Sequence, residues 1–231
     1  MAQPSIIRLT SLDWPPYAGA ALPEGGSQVQ LVRMAYRAIG VQVEVEFLPF
    51  RRAVQRARSD HTVAGYFPEY AEVEADFTIS PMLGLSPLGF AYRADRVFQW
   101  QGLDDLVAHQ PIGVVGSYIN EPDLDRMIAT GRLRSEPALD DLGNLRRLAA
   151  GRIGVAVIDQ SVMRWLIAAE PSLRGLPQPL LFHPRLLAER TLHVAFRNSP
   201  HGQIAQDLLT AGLARLDPDV VRALTVTENS H

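Results

Sequence analysis

Residues 6–47 read IIRLTSLDWPPYAGAALPEGGSQVQLVRMAYRAIGVQVEVEF, and the change of hydrophobic period along this stretch decides the fold class. Residues 6–12 (IIRLTSL) are a short, mostly apolar run. The paired prolines of Asp13-Trp14-Pro15-Pro16-Tyr17 end that run in a rigid loop. Ser27, with Gln30 three residues on, has the form of a capping box, and Val29, Val32, Tyr36 and Ile39 then recur at helical spacing. Gly40 supplies the stop. Residues 41–47 alternate Val, Val, Val and Phe with Gln, Glu and Glu, which predicts a half-buried strand. Strand, helix, strand is an α/β signature.

The same grammar continues outward. Ala53, Val54 and Ala57 predict a short helix, residues 63–67 a third strand and residues 88–94 (LGFAYRA) another, after which the pattern restarts. Residues 111–115 predict a strand running into Gly116-Ser117-Tyr118. Pro122 opens a helix carrying Leu124, Met127 and Ile128, closed by Gly131. Asp140 or Asp141 caps a helix with Leu142, Leu145 and Leu148, ended by Gly151. Residues 154–158 (GVAVI) predict a buried strand, and Val162, Trp165, Leu166 and Ala169 the next helix face. Residues 192–196 (LHVAF) form a late strand; Ile204, Leu208 and Leu216 follow on a helix, and Asp217-Pro218 opens a final one. Two such series predict two lobes, with residues 88–94 and 192–198 as paired hinge strands. Lobe 1 is expected to be discontinuous, residues 1–92 and 193–231, and lobe 2 to span residues 93–192.

Composition sets bounds on function. At 231 residues, with 47% hydrophobic and 20% charged residues, the chain has an ordinary globular balance that argues against disorder. The net charge of −3 gives no reason to expect a polyanionic partner, and the 22 positive residues, all arginine, are scattered rather than clustered with aromatics. No cysteine is present, so disulfide, thiolate-metal and cysteine-nucleophile chemistry are excluded. The six histidines show no metal-ligand spacing, and no HExxH, GxSxG, P-loop or GxGxxG motif occurs. No metal or cofactor is expected. The apolar runs are too short to span a bilayer, and no basic-then-apolar segment precedes Ile6. For an exported protein, Met1, Ala2 and Gln3 then mark a start set at a cleavage point.

In order, DWPPY (13–17), AGYFPEYAEVEADFTISP (64–81), IGVVGSY (112–118) and GRIGVAVIDQ (151–160) run from residue 13 to residue 160. This ordered set resembles the bacterial extracellular solute-binding proteins of family 3, the polar amino-acid type that feeds ABC transporters. The resemblance implies an α/β, two-lobed periplasmic-binding-protein (type II) fold with two hinge strands and a central ligand cleft. Strand carboxyl ends are also where open α/β sheets bind ligands on general grounds. The sequence departs from the family at one place. After the AG pair the family carries Ser or Thr and then a carboxylate-gripping Arg, whereas here the positions read Tyr66, Phe67, Pro68 and Glu69, with Glu72 and Val73 where the Arg would fall.

Each candidate residue has a functional and a structural reading. Trp14 lies where the family often places an aromatic against ligand, yet it suits a sheet-capping core role equally; Tyr17 reads more readily as structural. Arg51 and Arg52 open a predicted helix, where the macrodipole disfavours cations, so one of them is a candidate to hold an anionic group; the alternative is a solvated face with Arg56 and Arg58. Tyr66 and Phe67 are expected at the cleft as an aromatic mouth, or else as ordinary core. Glu69 is a candidate for a ligand ammonium, or a solvated loop acid. In the second lobe the resemblance implies ligand contacts from Gly116, Ser117 and Tyr118. It also implies an ammonium-binding role for Asp159, whose alternative is an N-cap for the helix carrying Trp165.

These readings give a monomeric periplasmic protein, its signal peptide removed, that closes on a small polar or zwitterionic solute (an amino acid or derivative) and delivers it to an ABC transporter permease in the membrane. It is not expected to be an enzyme or to bind nucleic acid. The alternatives are the ligand-sensing module of a receptor kinase, which would require the chain to continue beyond His231, and a small-carboxylate dehydratase on the same fold. The dehydratase would need a cleft acid or base from among Glu69, Asp159 and His193.

Overall fold

The computed structural model describes residues 6–225. Residues 1–3 and His231, to which the expectations about export and chain end refer, lie outside the described residues. The chain divides into two compact units, Met1–Leu85 with Arg190–His231, and Ser86–Glu189. The expected boundaries, after residues 92 and 192, fall inside the same two strands that carry the observed crossings.

In the first unit β1 (Ile6–Ser11) lies between β2 (Gln42–Phe47) and β3 (Gly65–Glu69), parallel to both. Two helices connect these strands, α1 (Ser27–Ala38) and α2 (Phe50–Ser59). A short β4 (Phe77–Ile79) leads to β5 (Gly84–Arg93), which crosses into the second unit. There β6 (Ile112–Val115), α3 (Pro122–Ala129), β7 (Ser135–Ala138), α4 (Asp141–Ala149), β8 (Val155–Asp159), α5 (Gln160–Ala169) and β9 (Leu180–Phe182) follow. The strand β6 is parallel to both β7 and β8, while β5 runs antiparallel to β8 and β9. The chain returns on β10 (Ala188–Arg197), which pairs antiparallel with β3 and β4. It then closes the first unit with α6 (Pro200–Leu213) and α7 (Pro218–Thr225).

Each unit has its own core. In the first, Leu9, Leu31, Val32, Tyr36, Val194 and Phe196 pack between sheet and helices. In the second, Phe90, Leu106, Ile112, Leu124 and Val155 do the same. The Tyr36 hydroxyl, deep between α1 and α6, donates to the Ala205 carbonyl at 2.9 Å, and burial raises its pKa. Next to it a Cβ on Gly212 would collide with the Ala35 carbonyl oxygen, so α6 approaches α1 backbone to backbone. Gly212→Ala is expected to destabilise the protein by about 1–3 kcal/mol through overpacking. Gly102→Ala, at a site open for 4 Å around, should change stability by less than about 0.5 kcal/mol. Urea denaturation of the pair checks both.

The expected Ser27–Gln30 capping box does not form. Gly26 precedes α1 at φ +97, and the Ser27 hydroxyl is buried without a partner among the described residues. The first amides of α1 are satisfied by the DWPPY backbone instead: Ser27 N–H donates to the Pro16 carbonyl (3.1 Å) and Gln28 N–H to that of Tyr17 (2.9 Å). A Cβ on Gly26 would stand 2.6 Å from the Tyr17 carbonyl oxygen, so this close approach requires glycine.

Candidate functional site

In the first unit the candidate residues gather at the carboxyl ends of β1, β2 and β3, which the parallel pairing places on one edge of the sheet. After β1 the loop folds back through a Trp14 N–H bond to the Ala18 carbonyl (2.7 Å), and the Trp14 ring stacks on Tyr17 with centroids 4.7 Å apart. Both rings are buried, and the Tyr17 hydroxyl donates to the Leu85 carbonyl at 3.1 Å. After β2, Arg51 and Arg52 stand exposed in the first turn of α2, which carries no acidic residue. Among the described residues neither makes an ion pair. Arg56 pairs with Glu46 and Asp60, and Arg58 with Glu74 and Asp76.

The strand β3 runs two residues further than the pattern predicts and is buried along its whole length. Period-two alternation sends Tyr66 and Phe67 to opposite faces. Tyr66 packs edge-on against Phe77 (5.0 Å) and Phe50 (6.1 Å), while Phe67 belongs to the main core of the unit. The expectation of an aromatic mouth formed by both is thereby corrected: Phe67 is a core residue, because neighbouring positions of one strand cannot share a face.

Glu69 is not a solvated loop acid. It ends β3 buried, in register with His193 of β10. Its Oε2 accepts from the Tyr66 hydroxyl at 3.0 Å and its Oε1 from the Tyr70 N–H at 2.7 Å. Burial pushes the Glu69 carboxyl up to about 7, against those two hydrogen bonds and the charge of Arg190, which pull it down. Arg190, near the start of β10, lays its guanidinium over the Tyr70 ring at 4.7 Å and pairs with Glu72.

In the second unit the residues again lie at carboxyl ends of parallel strands, β6 and β8. The loop after β6 holds Gly116 by its N–H bond to the Ala138 carbonyl, with Ser117 and Tyr118 half-buried beyond it. At the end of β8, Asp159 is buried and N-caps α5, Oδ1 accepting from Val162 N–H at 2.9 Å. Its Oδ2 accepts from the Ser86 hydroxyl at 2.6 Å. The structural reading of Asp159 is thus present in the fold.

Sequence reasoning passed over Arg190, Tyr70 and Ser86. Only Arg190 left a signal, since alternation back from Leu192 places it on the same face of β10 as Leu192, Val194 and Phe196. Among the described residues no group of three or more His, Cys, Asp or Glu could hold a metal ion, and no helix is long and apolar enough to cross a membrane.

No protein-family model matches the sequence, and no curated protein matches it either. Solved structures do. The chain is similar to a histidine kinase sensor domain that itself resembles periplasmic binding proteins, with a TM-score of 0.78 at 19% identity over 97% of this chain and 96% of that one. This is the two-lobed periplasmic-binding-protein fold. The same periplasmic-binding-protein fold appears in an ancestral arginine-binding protein bound to glutamine (TM-score 0.75, 13% identity, 96% of each chain). It appears again in the GluR0 ligand-binding core of Nostoc punctiforme in complex with L-glutamate (TM-score 0.71, 15% identity, 94% of this chain and 96% of that one).

Proposed function

We propose that this chain is an extracytoplasmic receptor for a small polar or zwitterionic solute, an amino acid or derivative, and that it acts by binding rather than catalysis. One observation carries the reading: in each unit the polar, charged and aromatic candidates collect at the carboxyl ends of parallel strands, where open α/β sheets hold ligands. Trp14, Arg51, Tyr66 and Glu69 are the contributors from the first unit, and Gly116, Ser117, Tyr118 and Asp159 those from the second. The solutes named for similar structures, glutamine and L-glutamate, support the ligand class. Neither a cofactor nor a metal enters the reading, and the protein works as a periplasmic monomer that hands its solute to an ABC transporter permease.

A second reading, the sensing module of a receptor, is favoured by the likeness to a histidine kinase sensor domain. Both readings require a ligand, so one experiment tests their common part. Refolded, ligand-stripped protein is screened by thermal shift against amino acids, amines, opines and small organic acids. A true ligand at about 100 times its Kd adds roughly 2.7 kcal/mol, a rise of about 5–10 °C in Tm for a chain of this size. A broad panel that leaves Tm unmoved removes the receptor reading.

A further inference from the structure

Arg190 is the least exposed arginine engaged in an ion pair among the described residues, its side chain 10% accessible. A guanidinium withdrawn from water carries five N–H donors that need partners. Here one partner is Glu72 on Nη2 and the other is the face of Tyr70. Among the described residues Nε and Nη1 make no hydrogen bond. The counter-ion is held far less firmly than the arginine: Glu72 is 53% accessible and lies in the loop between β3 and β4. Half-exposed pairs of this kind contribute little, because solvent screens them and the acidic side chain must be immobilised.

We infer that Arg190 is a carboxylate-binding group, and that Glu72 occupies it as an internal counter-ion which an incoming carboxylate displaces. The planar Nε–Nη edge suits a bidentate carboxylate, and the Tyr70 ring, 4.7 Å from the guanidinium carbon, supports the group from one face. Glu69, at the end of β3 and within reach of the Arg190 charge, is the neighbouring acid, and its burial favours the neutral form that would not repel an entering anion. The physiological occupant rests on the solute-receptor reading and is a solute bearing a carboxylate; the site itself is tested locally.

The test titrates sodium acetate into ¹⁵N-labelled full chain, against sodium chloride at equal ionic strength. It follows the Arg190 Nε–H signal, assigned by its loss in Arg190→Gln. The expected result is a saturable acetate-specific shift whose midpoint falls about two- to fivefold in Glu72→Gln, the size of the released ion pair. A shift shared with chloride, or a midpoint unchanged or raised in Glu72→Gln, overturns the inference. Should Arg190→Gln not fold, the signal is assigned by triple-resonance spectra and the Glu72→Gln arm decides alone. Acetate binding at Arg190 with an unresponsive solute panel would leave this site standing and remove the receptor reading. Solute binding with no effect of Glu72→Gln on acetate would do the reverse.

Discussion

Asp159→Ala should cost the unliganded protein about 2–4 kcal/mol, read as a lowered denaturation midpoint, before any ligand is added. Two losses combine. Removing the side-chain acceptor from the Val162 N–H uncaps α5, a change of about 1 kcal/mol in typical helices. The buried Ser86 hydroxyl also loses its acceptor, and a buried donor left without a partner costs about 1–3 kcal/mol. Both lie inside the second unit, and Asp159 is only 2% exposed, so water cannot replace what is lost. Asp159→Asn keeps an oxygen for the Val162 N–H and should lose less than half as much. A purely ligand-facing aspartate behaves in the opposite way: its removal would abolish the thermal shift and leave the apo midpoint within about 0.5 kcal/mol of the parent. That second outcome would show that α5 does not depend on its cap.

The elements that carry the site were legible where burial is complete. Strands β6 and β8 are covered throughout, so their sequences read as continuous apolar runs. Elements whose character comes from a neighbour were not. The sequence SEPA of β7 is mostly exposed and contains a proline, yet it pairs in register with β6 along its whole length. The same cause hid Glu69 and Arg190. Pattern alone ends β3 at Phe67 and starts β10 at Leu192, because a proline and an acid follow Phe67 and two polar residues precede Leu192. Antiparallel pairing of His193 with Glu69 prolongs β3 and carries an acid into the interior. The capping box failed for a related reason: the backbone of the preceding DWPPY loop reached the α1 amides first. Periodicity reports which faces are apolar, while a buried polar residue at a strand end is set by long-range pairing.

The buried acid makes the stability of the unliganded protein depend on pH in a definite direction. Glu69 rises from the ordinary value of 4.5 to about 7, with desolvation as the leading cause. The folded state therefore holds a proton that the unfolded chain releases in this window. Stability from this group is highest below 4.5, falls as pH rises, and levels off above about 7. At 1.36 kcal/mol per unit the fall is on the order of 3 kcal/mol. Asp60, Asp95 and Asp105 have lowered values, from hydrogen bonds to Thr62, from Arg93, and from the amides of Gln101 and Gly102. They act at more acidic pH and with opposite sign. Chemical denaturation between pH 4 and 8 should show the decline in the parent, and Glu69→Gln should flatten it, since an amide supplies no proton to lose. Parallel curves for the two proteins would mean that another group holds the proton. The groups facing Glu69 make the assignment specific: the Tyr66 hydroxyl, the Tyr70 N–H, Arg190, Glu72 and the register partner His193. With Glu69 neutral, Glu72 alone answers the charge of Arg190. Once Glu69 ionises, a second carboxylate competes for the same guanidinium, so a carboxylate ligand should bind more weakly at pH 8 than at pH 6.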